Sequence, residues 1–270
     1  MNLDVDNLIV RFADPLDGNE IAQLFCEDGT NLYDWSEQKW RHYYIDYPDG
    51  QPVALVAEIG GGIIGHYGML PVDIGGWSAM LGLHAYVSTK YRGLTIISAL
   101  MAEVDRVCKA KGISLICGFA NPQFSLIKKT FFKWNIGFWI GFKKSTTFAD
   151  VVRDDETFYF HYSDAWYQWR FGEDRNSYLS LFVDIEGNER QQLLKMRNSG
   201  ANFDEDLFAA TECWSNASMY AKDQDDQFCQ PFSVKVYDRA LVDLGILKPE
   251  NWFIEMGDSD TFSYVPWSKR

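Results

Sequence analysis

At 270 residues, with 47% hydrophobic and 23% charged side chains, the chain has the composition of a globular protein large enough for one big domain or two small ones. Its formal net charge of −13, with no dominant run of Lys and Arg, argues against nucleic acid and against anionic membrane surfaces as partners. Small anionic ligands stay admissible, because a local nest of backbone N–H groups works against an unfavourable global charge.

The five cysteines, Cys26, Cys108, Cys117, Cys213 and Cys229, are odd in number and include no Cys-x-x-Cys pair, which suits reduced thiols in a cytoplasmic protein. The start, Met1-Asn2-Leu3-Asp4-Val5-Asp6, is acidic and lacks the apolar centre of a secretory signal. The most apolar region, residues 60–87, is interrupted by Gly, Pro, His and Asp, so no membrane span is expected. Aromatic residues make up 16% of the chain, ten of them Trp. Such rings serve either as heavy core packing or as a groove that stacks on flat ligand groups.

In chain order, residues 8–12 read as a short strand, and 14–26 as a helix with acidic residues at its start and Ile21, Leu24 and Phe25 at helical spacing. A second helix is predicted over 36–44, carrying Trp40, Tyr43 and Tyr44, and Tyr47-Pro48-Asp49-Gly50 is a turn. Strands at 52–59 and 62–70, joined by Gly60-Gly61, make a hairpin, and Pro71 to Gly76 reads as another turn before a third strand, Trp77–Val87. Short connections make these strands antiparallel neighbours.

The chain then passes through Tyr91-Arg92-Gly93-Leu94-Thr95-Ile96-Ile97 into a helix whose apolar stripe is Ile97, Leu100, Met101, Val104 and Cys108, with Gly112 at the C-terminal cap. Such a glycine-containing strand-to-helix turn leaves several N–H groups pointing one way, with the positive end of the helix dipole behind them. That is a binding site for phosphate or pyrophosphate. Leu115–Phe119 is nearly all apolar, as in a strand covered on both faces, and completes a right-handed strand–helix–strand crossover. Asn121-Pro122 opens a helix over 123–133, and 137–142 is a returning strand.

The second half is less patterned. Asp164–Phe171 looks helical, Tyr178–Ile185 reads as a strand followed by a turn at 186–189, and 199–206 and 223–227 are polar loops. Residues 232–237 and 252–256 are later strand candidates. A weak echo links Trp40-Arg41 and the strand at 54–59 to Trp169-Arg170 and the strand at 180–185, either by chance or as a degenerate repeat.

The run Val87-Ser88-Thr89-Lys90-Tyr91-Arg92-Gly93, the helix after it, and Gly118-Phe119-Ala120-Asn121-Pro122 with its helix ending near Gly137-Phe138 resemble the GNAT superfamily of acyl-CoA-dependent N-acyltransferases. The resemblance covers roughly residues 8–144 and is strongest over 83–138. It implies an α+β (mixed α/β) fold: a mixed, mostly antiparallel sheet with splayed central strands flanked by helices. The family's turn pattern, Arg/Gln-x-x-Gly-x-Gly/Ala, falls on Arg92, Thr95 and Ile97, so the first position matches and the two later glycine positions do not. Bulk at Ile97 would limit how closely a ligand approaches. The resemblance implies coenzyme A contacts at Tyr86, Val87, Arg92, Gly93, Leu94, Thr95, Ile96, Ile97 and Asn121, with acyl-CoA as co-substrate and no metal.

Acyl transfer to an amine needs a thioester held near it, donors for an oxyanion and a route for the ammonium proton. A backbone N–H near Tyr86 or Val87 would serve the oxyanion. His84 is the first candidate base, since an imidazole titrates near ~6.5; the alternative is a hydrogen-bonded core histidine. Asp258 and Asp260 are the second candidates, either holding an ammonium group or forming only a polar terminal turn. Many members of the family carry a Tyr on the helix after position 121 that protonates the departing thiolate. Here Lys128, Phe131, Phe132 and Lys133 stand nearby, so the proton comes from water, from Lys128 or from no donor. His42, His66, His84 and His161 have no metal-ligand spacing, and neither a Gly-x-Ser-x-Gly elbow nor a P-loop is present.

The segment from Trp166 to Phe171 and the closing run Trp252 to Asp260 resemble a bacterial branch of the family with a second, degenerate GNAT-like half, some members of which acylate nucleotide-linked amino deoxysugars. This implies a GNAT domain at 1–145 and a degenerate one at 146–270 forming the acceptor side of a cleft, with substrate contacts at Trp169 and Arg170. The reaction implied is transfer of an acetyl or short hydroxyacyl group to a dTDP-amino sugar in the cytoplasm. Two other readings stay open: a tandem-GNAT aminoacyl transferase of cell-wall synthesis, which would need a basic face for tRNA, and a non-catalytic acyl-CoA-binding module.

Overall fold

The period-two alternation of apolar residues builds an antiparallel meander in the computed structural model. Ile9–Phe12 (β1) pairs with Val53–Ile59 (β2), β2 with Gly62–Ile74 (β3), and β3 with Trp77–Val87 (β4). The structure describes residues 7–27, 29, 35–145, 158–171, 178–185, 188–196, 213–219 and 230–254; of these, 141–145, 167, 171, 178–185, 188–196, 213–219, 230 and 253 are described by their backbone alone. Two helices lie between β1 and β2. Gly18–Phe25 (α1) follows a single 3-10 turn that Asp14 and Asp17 close as a capping box, and Glu37–Tyr44 (α2) is capped by the Ser36 hydroxyl on the Lys39 N–H.

A turn was expected at 71–76, but β3 runs on through Pro71 to Ile74 and only Gly75-Gly76 turn, with φ of 59° and 86°. Pro71 is tolerated because β2 begins at Val53, opposite Met69, and so stops short of it. The missing N–H falls on an open edge, and the Pro71 carbonyl accepts the Tyr47 hydroxyl at 2.8 Å.

From β4 the chain enters Leu94–Ala110 (α3) and returns in Leu115–Phe119 (β5), parallel to β4. Pro122–Phe132 (α4) starts under an Asn121 side chain that accepts the Phe124 N–H at 2.8 Å, and ends at Lys133 with φ 59° before Asn135–Ser145 (β6). Then follow Phe158–His161 (β7), Asp164–Phe171 (α5), Tyr178–Ile185 (β8), Asn188–Met196 (β9), Cys213–Met219 (β10), Gln230–Val236 (β11), Ala240–Asp243 (α6) and Trp252–Phe253 (β12).

Among the described residues the strands run β1-β2-β3-β4-β5-β11-β6-β10-β9-β8, with β7 pairing the end of β3 and β12. Strand β11 therefore lies antiparallel between β5 and β6, and the sheet reaches across the division expected at 145/146. The architecture is α+β: a mixed, mostly antiparallel sheet flanked by helices. No helix among the described residues is long and apolar enough to cross a membrane.

Helices α3 and α4 cover one face, where Leu100, Val104 and Cys108 of α3 meet Leu55, Tyr67, Met69, Met80 and Ile116. On the other face α1, α2 and Trp166 of α5 enclose Trp40, Val56 and Leu70. Farther along it, Trp252, Leu241, Phe232 and Phe158 close over Ile74, Leu115 and Phe138. Residues from both ends of the chain thus share one core. A polar tie adds to it: Asp105 of α3 accepts from Lys235 at 2.5 Å and from the Tyr237 hydroxyl at 2.7 Å. Asp105→Ala removes both acceptors and is expected to lower stability by about 1–3 kcal/mol, read by urea denaturation.

Candidate active site

The turn between β4 and α3 is held from below. Glu27, two residues past α1, accepts the Thr89 N–H. Burial works to raise its carboxyl, but that N–H, the Thr89 and Ser88 hydroxyls and nearby Arg92 outweigh it and keep it below the ordinary range. The Arg92 guanidinium folds back over the Tyr86 ring, 5.8 Å from its centroid. Gly93, at φ 165° and ψ −179°, is extended and gives α3 no side-chain cap. The first N–H groups of a 17-residue helix are thereby left to a ligand. A Cβ on Gly93 would meet nothing within 4 Å.

Arg92, Gly93, Leu94 and Thr95 are exposed, whereas Ile96 and Ile97 are buried against the sheet. The bulk of Ile97 therefore points into the core, away from the side a phosphate would approach, which removes the obstacle expected there.

Beyond the turn the central strands separate. β4 and β5 pair at three positions, ending at Leu81 opposite Cys117, while β4 continues along β3 as far as Val87. Residues 82–87 thus present an edge that β5 no longer covers. The β3–β4 register shifts between His66 and Gly68, where Tyr67 alone stands against Ala85 and His84. This is a β-bulge on β4, with His84 at φ 52° and Ala85 exposed. Ser88 gives its N–H to Ile64 across β3, so alternation turns the Tyr86 N–H toward β3 and the Val87 N–H to the open edge.

The bulge is fastened by His66, which is fully buried. Its Nδ1–H donates to the His84 carbonyl at 2.8 Å and its Nε2 faces the Trp40 indole N–H at 3.4 Å. With both nitrogens engaged, His66 is neutral, and burial pushes its pKa down to about 4.

His84 sits in an aromatic pocket. Its Nδ1 is 2.8 Å from the Tyr44 hydroxyl, and the rings of Trp35 and Tyr43 stand edge-on to it at 4.6 and 4.7 Å. Phe25 packs against both His84 and Tyr86. Gly68 makes the arrangement feasible, since a Cβ there would collide with the Tyr44 hydroxyl.

Trp169 and Arg170 arrive from α5. The Trp169 ring stacks on His42 at 4.6 Å and its N–H donates to the His42 carbonyl at 2.9 Å; Arg170 donates to the Tyr43 hydroxyl at 3.1 Å. The structure therefore gathers His84, Tyr86, Trp169 and Arg170 about one cluster of aromatic rings joined through Phe25 and Tyr43, with Val87 and residues 92–97 following on from it. Asn121 lies at the C-terminal end of β5, its side-chain oxygen already used as the cap of α4. Asp258 and Asp260 lie outside the described residues.

Residues 19–124 match the profile of the Acetyltransferase (GNAT) family. The chain has the GNAT fold. Its fold is that of a conserved Enterococcus faecalis V583 protein of unknown function described as a probable N-acyltransferase, with a TM-score of 0.59 over 86% of this chain and 73% of the other at 10% identity. Partial likenesses, over 48% of this chain each, join it to two further structures. One is the Escherichia coli GNAT family N-acetyltransferase YhbS in complex with CoA (20% identity, 69% of that chain, TM-score 0.37). The other is a Brucella melitensis GNAT family acetyltransferase in complex with acetyl-CoA (18% identity, 83% of that chain, TM-score 0.37). No curated protein shows significant sequence similarity to the chain.

The uncapped α3 N-terminus and the open edge of β4 together offer backbone N–H groups to a ligand lying along the turn. Sequence reasoning missed His66, Glu27 and Tyr44. Only His66 left a signal, as an imidazole inside a strand buried at almost every position.

The role of His66 predicts an acid sensitivity. Its folded pKa of about 4 lies below the unfolded ~6.5, so the unfolded chain binds a proton that the folded chain refuses. The stability it contributes is complete above pH ~6.5 and is lost as pH falls toward ~4, by about 3 kcal/mol at most. His66→Phe should cost about 1–3 kcal/mol at neutral pH, by orphaning the His84 carbonyl, and should flatten that pH slope in urea titrations.

Proposed function

We propose that this chain is an acyltransferase of the GNAT type that transfers an acetyl or short hydroxyacyl group from acyl-CoA to the amino group of a nucleotide-linked amino deoxysugar. The observation that carries the reading is His84, set on the β4 bulge beside the uncovered edge and packed in a cluster of aromatic rings that Trp169 and Arg170 join. The diphosphate of the donor rests on the N–H groups of residues 94–97, with Arg92 beside them. The thioester then lies along 82–87, where the Val87 N–H meets the oxygen that becomes negative.

His84, whose Nδ1 lies 2.8 Å from the Tyr44 hydroxyl, serves as the acceptor for the proton of the attacking amine. Rings around the pocket suit a sugar–nucleotide by stacking, and the Arg170 guanidinium suits its phosphates. The net charge of −13 speaks against tRNA as acceptor or carrier. Acyl-CoA and nucleotide sugars as co-substrates place the reaction in the cytoplasm.

Incubation with acetyl-CoA and a panel of amines that includes dTDP-amino sugars, followed by free thiol, tests the reading. Thiol release with the amino sugars above that with simple amines is expected, and release with none of them would overturn it. His84→Gln should lower kcat/KM by about 10²-fold and remove the lower limb of the pH–rate profile. Gly93→Val should weaken coenzyme A binding about tenfold in calorimetry while leaving the melting temperature unchanged, because the added side chain meets only the space a ligand would fill.

A further inference from the structure

Two buried polar side chains have no task in the account so far, and they meet at one place. Lys128 of α4 is 2% exposed, and its Nζ is surrounded by rings: Trp134 at 4.0 Å, Phe124 at 5.0 Å and Tyr67 at 5.9 Å from the centroids. The titratable groups that face it are the Cys117 thiol on β5 and the Tyr67 phenol on β3. The Tyr67 hydroxyl, on a residue 1% exposed, has no hydrogen-bond partner among the described residues.

Two glycines fix where these groups point. A Cβ on Gly82 would collide with the Tyr67 hydroxyl, and a Cβ on Gly118 would lie 3.6 Å from Lys128 Nζ and 2.7 Å from the Gly82 carbonyl oxygen. Both donors are thus aimed at the Gly82–Gly118 step, one residue past the last β4–β5 pair, where the strands begin to part. They lie on the α3/α4 face of the sheet, opposite the His84 pocket. Among the described residues the ammonium meets no counter-ion and the phenol no acceptor; both are costly when buried, and an anion between them would satisfy both.

We propose that Lys128, flanked by the Tyr67 hydroxyl, is the donor that protonates the sulfur leaving from acyl-CoA. The proposal rests on the acyl-CoA reading above and resolves the choice among water, Lys128 and no donor. In the step, the amine nitrogen bonds to the acyl carbon and its proton passes to His84. The carbon–sulfur bond breaks with its electron pair on sulfur, and a proton moves from Lys128 Nζ to that sulfur. His84 later gives one proton to water and Lys128 takes one back, so amine and thioester become amide and thiol with no net proton.

Burial pushes the Lys128 ammonium down to about 7, which lets it cycle between charged and neutral forms near neutrality, while burial raises the Tyr67 phenol and keeps it a donor. Proton entry and proton exit then occupy opposite faces of the sheet.

The test uses the whole protein and coenzyme A itself, without any amine. Ultraviolet absorbance of the thiolate should show the bound thiol titrating about tenfold more readily than free coenzyme A (about one pH unit lower). Lys128→Met should abolish that shift, Lys128→Arg should keep part of it, and Tyr67→Phe should reduce it. A bound thiol that titrates alike in the wild type and in Lys128→Met overturns the proposal; should the Met variant fail to fold, an unchanged titration in Tyr67→Phe does the same.

With an amine that accepts acyl groups, Lys128→Met should cut kcat about 10²-fold with acyl-CoA, but far less with an aryl thioester of the same acyl group, whose thiol leaves without help. An equal cut with both donors also overturns it. Transfer to no amine at all would remove the acceptor reading while the thiol titration still decides Lys128, and failure to bind coenzyme A would overturn both.

Discussion

The separation of β4 from β5 after Leu81 and Cys117 is the constraint on which the site depends, and it is enforced from both sides. β4 stays bound to β3 as far as Val87, and β5 is bound over its whole length by β11, from Phe119 against Phe232 to Leu115 against Val236. Each strand is therefore held by its outer neighbour, and the twist of the sheet carries them apart. Gly82 and Gly118 permit the close backbone approach at the pivot. The bulge at His84 and Ala85 then swings the end of β4 so that Leu83, His84 and Tyr86 all reach the α1/α2 side, which strict alternation would forbid.

Because β11 supplies the outer grip on β5, the second half of the chain shapes the candidate site through the sheet itself. Residues up to 145 alone would leave β5 with three paired positions and an exposed edge. The return of the chain covers that edge. It ties itself to α3 through Asp105 and closes the lower core with Trp252, whose N–H donates to the Ile246 carbonyl at 2.6 Å. It also sends α5 back across α2, so the wall of the pocket and the brace of the central strand come from the same excursion.

What was legible in the sequence is what local periodicity and turn chemistry determine. The α3 stripe, the Gly60-Gly61 hairpin, the caps at Ser36 and Asn121 and the crossover to β5 all follow from spacing within one element. The turn from β4 into α3 was equally plain, and the missing glycine at Ile97 lost its force once its side chain proved to be buried.

Long-range pairing was not legible. Nothing in Gln230–Val236 announces that it inserts between β5 and β6, and Asn188–Met196 and Cys213–Met219 carry too few β-branched residues to stand out as strands. Pro71 misled because a proline within a strand normally argues for a turn, and only the early end of β2 excuses it. Glu27 reaches its partner 62 positions away, a contact with no local trace.

The buried polar groups divide according to where they stand. His66 satisfies both nitrogens, and the Ser233 hydroxyl donates to Ser125 at 3.2 Å, so each is a closed account of hydrogen bonds within the fold. Lys128 and Tyr67 differ: one is a cation among rings, the other a hydroxyl without an acceptor among the described residues, and both border the gap between the central strands. A fold under selection for stability alone would place an apolar side chain at Lys128, since α4 already packs through its neighbours and the ammonium there loses its hydration. The Tyr67 hydroxyl and the Lys128 ammonium thus converge on the parting of β4 and β5, on the face of the sheet opposite His84.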